Sequence, residues 1–208
     1  FYYQTPTGEH ELYFIGYSDG DIYDSDLYMA RSNTLTGPYR IDPTPIVSRG
    51  QLAGRAVEVI TSPSVVAHQG VLYMVFLAWD GFEDVTTVWV MGAISRDQGR
   101  SWGEIQEVAV PVGMEGQLTR LPTGQFVAVR TGEVDGVEGI MMACAAHPFG
   151  PYTARENPVL MSAGSPWEVD EIIAPQITVD PGTGQPILYY TGAEHRRGWW
   201  IMKAVPGP

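Results

Sequence analysis

Three carboxylates stand where a loop gives way to an apolar run: Glu115 in Gly113-Met-Glu-Gly116, and Asp170 with Glu171 in Trp167-Glu-Val-Asp-Glu171, just ahead of Ile172-Ile-Ala-Pro175. Two carboxyl groups, one protonated and one ionised, can donate a proton to a leaving oxygen and activate water or attack carbon. Other chemistries find less support. Cys144 lies in the apolar run Gly139-Ile-Met-Met-Ala-Cys-Ala-Ala146 and reads as a small buried hydrophobe rather than a nucleophile. His10, His68, His147 and His195 show no close pairing of the metal-ligand kind. The sequence holds no Gly-x-Ser-x-Gly, P-loop or dinucleotide fingerprint. Asp19-Gly-Asp-Ile-Tyr-Asp-Ser-Asp26 could attract Ca²⁺, but it lacks the EF-hand spacing and the closing Glu, so a solvated loop is expected and no cofactor is called for.

Carboxylates this far apart in the chain need a scaffold that brings loop ends together. Of 208 residues, 24 are Gly and 16 are Pro, with 44% hydrophobic and only 17% charged, which describes short elements joined by many tight turns. The length suits a single domain over 1–208. A formal charge of −12, with Lys203 the only lysine, argues against nucleic acid, whose phosphates need clustered cations. The arginines are scattered apart from Arg196-Arg197, so no basic stripe would hold an anionic membrane, and the longest apolar run, Val71 to Trp79, is strand-sized. One cysteine cannot form a disulfide within the chain; this leaves the compartment open, as the sequence does the oligomeric state.

The scaffold is written as a repeat. An apolar strand, a Gly-containing turn and an aromatic or β-branched strand recur in Ser62–Trp79, Glu115–Arg130 and Ala174–Thr191, with a shortened copy at Tyr2–Tyr17. A third strand follows each pair, at Asp26–Ser32, Val88–Ser95, Gly139–Ala146 and Trp199–Ala204. Fourth, edge strands are expected at Tyr39–Ile41, Ile105–Val110 and Tyr152–Ala154, two of them after the twin turns Thr36-Gly-Pro-Tyr39 and Phe149-Gly-Pro-Tyr152. The spacing of roughly 50 to 60 residues is that of a four-stranded propeller blade, and a plain β-sandwich is the competing arrangement. Leu12-Tyr13 lines up with Leu72-Tyr73, so the chain is expected to open inside a first strand, with the counterparts of Thr61-Ser62-Pro63 lying before Phe1.

These pairs resemble the blades of the five-bladed propeller glycosidases, the arabinanase, β-xylosidase and fructosidase group, whose inner strands carry Asp-Pro-Ser, Ala-Pro and Glu-Gly-Pro patterns. The resemblance implies an all-β propeller of roughly four to five four-stranded blades, with catalytic carboxylates at the starts of inner strands converging on the axis. By it, Met114-Glu115-Gly116 matches the strand start that bears the general acid, making Glu115 the proton donor, and Asp170 or Glu171 supplies a second carboxylate. Ser62 stands where the group usually has an Asp that tunes the acid; a serine can hydrogen-bond but cannot shift a pKa by charge. Sugar contacts are expected from Ser62 and from residues where second strands run out: Trp79, Asp80, Arg130, Glu194 and His195.

The function so implied is hydrolysis of glycosidic bonds in a plant- or microbe-derived oligo- or polysaccharide. Two alternatives stay open: a phosphorylase of the same fold, which would gather Arg55, Arg120 and Arg130 around phosphate, and a non-catalytic sugar-binding or scaffold propeller, favoured by Ser62. Separately, Ser95-Arg-Asp-Gln-Gly-Arg-Ser-Trp102 fits the Asp-box pattern of sialidase-like propellers. Its expected work is structural: Ser95 and Asp97 accept backbone donors while Trp102 packs beneath.

Overall fold

Alternation of buried and exposed positions makes strands of the segments that the repeat singled out, and paired turns join them. The computed structural model describes residues 1–17, 24–81, 87–112, 116–162, 171–194 and 198–205, and among them there is no helix. The chain divides into two compact units, Phe1–Val108 and Ala109–Pro208.

The first unit holds two four-stranded antiparallel sheets. One runs β1 (Tyr2–Gln4), β2 (His10–Tyr17), β3 (Ser25–Ser32), β4 (Arg40–Ile41). Between the sheets in sequence comes a hairpin, β5 (Gly50–Leu52) and β6 (Arg55–Val57), which the repeat did not announce. Its turn needs positive φ at both central residues, Ala53 (50°) and Gly54 (81°), and it buries Leu52 and Val57 in the core. The second sheet is β7 (Val59–His68), β8 (Val71–Trp79), β9 (Val88–Ser95) and β10 (Gly103–Glu107). Leu27 and Met29 of β3 pack against Ile60 and Val65 of β7 and Leu72, Met74 and Phe76 of β8. Each large side chain sealed there contributes about 1.5–3 kcal/mol.

The second unit repeats the plan. Its first sheet is β11 (Gln117–Arg120), β12 (Phe126–Val134), β13 (Val137–Ala145) and β14 (Thr153–Ala154), with β15 (Leu160–Met161) also paired to β13. Its second is β16 (Glu171–Val179), β17 (Pro186–Glu194) and β18 (Gly198–Ala204). Val127, Val129 and Ile140 meet Ile172, Ile177 and Tyr190 in a smaller core.

Four blade-like sheets therefore stand where the resemblance allowed four to five, and separate three- to five-stranded sheets replace the sandwich alternative. The third strands lie where the sequence put them. The edge strand expected at Ile105–Val110 is instead Gly103–Glu107, because a bulge between Gly103 and Gln106, with Glu104 at φ 51°, starts the pairing directly after Trp102. The twin Gly-Pro turns are alike in detail: Tyr39 Oη donates to the Leu35 carbonyl at 3.0 Å, and Tyr152 Oη to the Pro148 carbonyl at 2.7 Å.

Candidate functional site

Two first strands share a bulge that, unlike the one in β10, sits directly before a proline. In β7 the pairing slips between Thr61, opposite Leu77, and Ser64, opposite Val75; in β16 it slips between Ile173, opposite Thr191, and Gln176, opposite Tyr189. Each bulge has a non-glycine residue at φ 53° immediately before a proline, Ser62 before Pro63 and Ala174 before Pro175. The left-handed region costs an L-residue about 1–2 kcal/mol, so these side chains are re-aimed at an energetic cost that the surrounding sheet must hold. By contrast, β11 pairs with β12 in unbroken register from Gln117 to Arg120.

The hold is visible two residues before each bulge. Ser25 Oγ, fully buried on β3, accepts from the Ile60 amide at 3.1 Å and donates to the Ile60 carbonyl at 2.7 Å. Glu138 on β13 accepts from the Ile172 amide through Oε2 at 2.8 Å. Neither residue stood out in the sequence: Ser25 sits beside an acidic loop, and Glu138 follows a Gly136 hairpin turn like any solvated strand end.

Around these bulges the sequence-predicted residues fall as follows. Ser62 is half-buried, its Oγ 3.5 Å from Thr61 Oγ1. Trp79 closes β8 opposite Val59 and is nearly buried; Asp80 follows it and accepts from the Thr87 amide at 3.1 Å. Glu58, which the sequence reading passed over, joins the same end of this sheet, its amide donating to the Trp79 carbonyl at 2.9 Å. In the second unit, Glu171 opens β16 opposite Ala193, and Glu194 closes β17 opposite Gly198. These two carboxylates thus share one end of one sheet, and the pleat sends them to opposite faces. Gln117, two residues beyond Glu115, is buried, and its Oε1 has no hydrogen-bond partner among the described residues. Glu115, Asp170 and His195 lie outside the described residues.

The arginines that a phosphate site would gather are engaged locally. Arg55 pairs with Glu107 at 3.0 Å and lies over the Trp89 ring at 5.6 Å. Arg120 lies over the Phe126 ring at 5.8 Å, while Arg130, opposite Met141, donates from Nη1 to the Thr131 carbonyl at 3.1 Å. Phe126 and Arg130 are four residues apart on β12, about 13 Å along a strand. Of the acidic loop considered for Ca²⁺, the described carboxylates Asp24 and Asp26 pair with Arg49 at 2.9 and 3.5 Å. Among the described residues no group of three or more His, Cys, Asp or Glu is placed to hold a metal.

In the Ser95–Trp102 turn, the Gly99 amide donates to Ser95 Oγ at 2.8 Å, and Ser95 Oγ donates to Asp97 Oδ1 at 2.8 Å. Ser101 donates to Asp97 twice, from its amide at 2.9 Å and its hydroxyl at 2.6 Å. What little burial Asp97 has works the other way, but these bonds hold its carboxyl down at about 2.

No family model matches the sequence, and no curated protein is similar to it. Solved structures do match. A thermostable family-43 glycoside hydrolase aligns over 100% of this chain and 73% of its own, at 13% identity and a TM-score of 0.72. An endo-arabinase from Bacteroides thetaiotaomicron VPI-5482 aligns over 100% and 74%, at 13% identity and 0.67. An N-acetylgalactosamine deacetylase from F. plautii, in complex with blood group B trisaccharide, aligns over 92% and 61%, at 12% identity and 0.64. At such identities these likenesses show the fold, that of the β-propeller glycosidases, and fold does not fix chemistry.

Proposed function

We propose that the protein is a glycoside hydrolase acting on a plant- or microbe-derived oligo- or polysaccharide, with Glu115 as proton donor and Asp170 or Glu171 as the second carboxylate. The observation that supports it most is the repeated bulge at Ser62-Pro63 and Ala174-Pro175, which re-aims side chains near the starts of two first strands. Glu171 stands three residues before one bulge and Glu58 four before the other, so carboxylates accompany both. The matched solved structures differ in reaction, yet each is of a protein that acts on or binds carbohydrate, and that shared substrate class is what we carry over. The carboxyl separation would decide inversion or retention: about 5–5.5 Å for a nucleophile, about 6.5–9.5 Å for a base acting through water.

A second reading, a non-catalytic sugar-binding protein, is favoured by one observation: the bulge residues themselves, Ser62 and Ala174, carry no charge. A phosphorylase is disfavoured by the local engagement of Arg55, Arg120 and Arg130. The test is cleavage of linear arabinan and xylan, read both as new reducing ends and as glycosyl phosphate, with and without inorganic phosphate, by the wild type and Glu115→Gln. Hydrolysis is expected without phosphate, and Glu115→Gln should lose about 10²–10⁴-fold in rate while still binding saccharide. Saccharide binding without cleavage by the wild type would establish the second reading, and dependence on phosphate the third.

A further inference from the structure

Glu11 is wholly buried, at 0% exposure, in the first unit. It accepts from Tyr13 Oη at 2.6 Å and from Arg31 Nε at 3.1 Å. Against this pair of β2 residues, from the neighbouring sheet, sits the tip of the Ser95–Trp102 turn. A Cβ on Gly99 would fall 2.6 Å from Tyr13 Oη and 3.1 and 3.2 Å from the two Glu11 oxygens, so the glycine backbone is pressed onto the carboxylate and the phenol. Gly99 also has φ +77°, a second reason that no other residue suits the position. Trp102 meets the Tyr13 ring edge-on, with centroids 5.9 Å apart.

We propose that Glu11, Tyr13 and Arg31 form a proton-dependent seat for the Ser95–Trp102 turn, one that grips the turn best in mild acid and loosens as Glu11 ionises. The charge of ionised Glu11 is incompletely compensated. Arg31 is divided between Glu11 and Glu9, the latter at 3.7 Å, and its Nη2 is buried with no acceptor among the described residues. In register across the sheet, Tyr3 lies opposite Glu11, Arg31 beyond it, and then Arg40, which sets a second cation beside the first. From the neighbouring sheet the turn brings three charged groups: Asp97, tied to Ser95 and Ser101, Arg96, which pairs with Glu104 at 2.9 Å, and the exposed Arg100. A protonated Glu11 still accepts from both Tyr13 and Arg31, so acid removes the buried charge without breaking the seat. An ionised Glu11 draws water, and water reaches it by lifting Gly99.

The two titrations work in opposite directions. Burial pushes the Glu11 carboxyl up, and Glu9 adds to the rise, against lowering by Tyr13 and Arg31. A carboxyl raised in the folded state contributes stability that is full below its unfolded value, here 4.5, and is lost as pH climbs through the folded value. Asp97, held at about 2 against an ordinary 3.8, contributes stability above 3.8 that is lost as pH falls towards 2. The joint between turn and seat is therefore tightest in the interval between them.

Hydrogen exchange of the Gly99 and Ser101 amides in the intact chain, corrected for intrinsic rate, tests this between pH 4.5 and 7.5. Protection is expected to fall with rising pH, by up to about tenfold per unit through the Glu11 titration, and to be flat in Glu11→Gln. Gly99→Ala should lose protection at every pH. Should Glu11→Gln not fold, ¹³C-carboxyl NMR of glutamate-labelled wild type still decides. One glutamate should titrate above the ordinary range in step with the loss of protection. Flat protection in the wild type, equal slopes in wild type and Glu11→Gln, or ordinary titration of every glutamate would overturn the proposal.

Discussion

Strands β7 and β16 carry the same bulge, yet different chemistry holds each in place. Ile60 is clasped at both its amide and its carbonyl by the neutral, fully buried hydroxyl of Ser25; Ile172 is held at its amide alone by the Glu138 carboxylate. At the bulge itself one strand presents a hydroxyl, Ser62, and the other a methyl, Ala174, both at φ 53° and both before proline. The backbone device is thus separable from the side chain it displays. What must be kept is a partner that fixes the strand two residues upstream, and this partner comes from the third strand of the preceding sheet in each unit.

The largest effect is expected where the clasp is most buried. Ser25→Ala leaves two buried backbone groups of Ile60 unpaired and should cost about 2–3 kcal/mol, whereas Glu138→Gln retains an acceptor and should cost under about 1 kcal/mol. Thermal midpoints of the two variants would compare the clasps directly, and equal losses would mean that Ser25 does no more than fill space. Next come Ser62→Val and Ala174→Val. A β-branched side chain is an outlier at positive φ, so each should lose about 1–2 kcal/mol beyond the parent, seen as a fall of about 2–4 °C per kcal/mol. If only one of them suffers, the two bulges are not equivalent. The smallest effect on stability is expected from Ser62→Ala and Ala174→Ser, each within about 0.5 kcal/mol. Their contrast is functional: saccharide affinity should drop for Ser62→Ala and stay put for Ala174→Ser, and an unchanged affinity in both would remove Ser62 from the binding site.

Much of the fold was legible because it is periodic. Val88–Ser95 and Leu72–Trp79 announce strands by apolar runs bounded by turn residues, and the Gly-Pro-Tyr twins announce a repeat, since a turn built on Gly and Pro keeps its conformation wherever it occurs. The hairpin Gly50–Val57 was missed because its strands are three residues long and its turn, Ala53-Gly54, is not the usual Asn-Gly or Asp-Gly. Of the candidate site, the sequence pointed to strand ends: Trp79, Glu171 and Glu194 are terminal residues of their strands and Asp80 follows β8, whereas Ser62 lies inside β7 and Arg130 in the middle of β12, because both strands run on past the apolar stretch that marked them. It did not point to Ser25, Glu138 or Glu11, whose significance depends on atoms far away in the chain.

By itself, then, the sequence determined the all-β class, the blade-sized repeat and the turn chemistry, because these rest on interactions between residues a few positions apart. The tertiary structure alone decided which polar side chains leave the solvent, wholly or in part, and what they hold: buried Glu11 under Gly99, buried Ser25 on Ile60 and half-buried Glu138 on Ile172. The hydrogen bond between two sheets joins residues 35 positions apart for Ser25 and Ile60, and no local pattern encodes such a partner. Only the folded chain brings donor and acceptor within reach and excludes the water that would otherwise serve both.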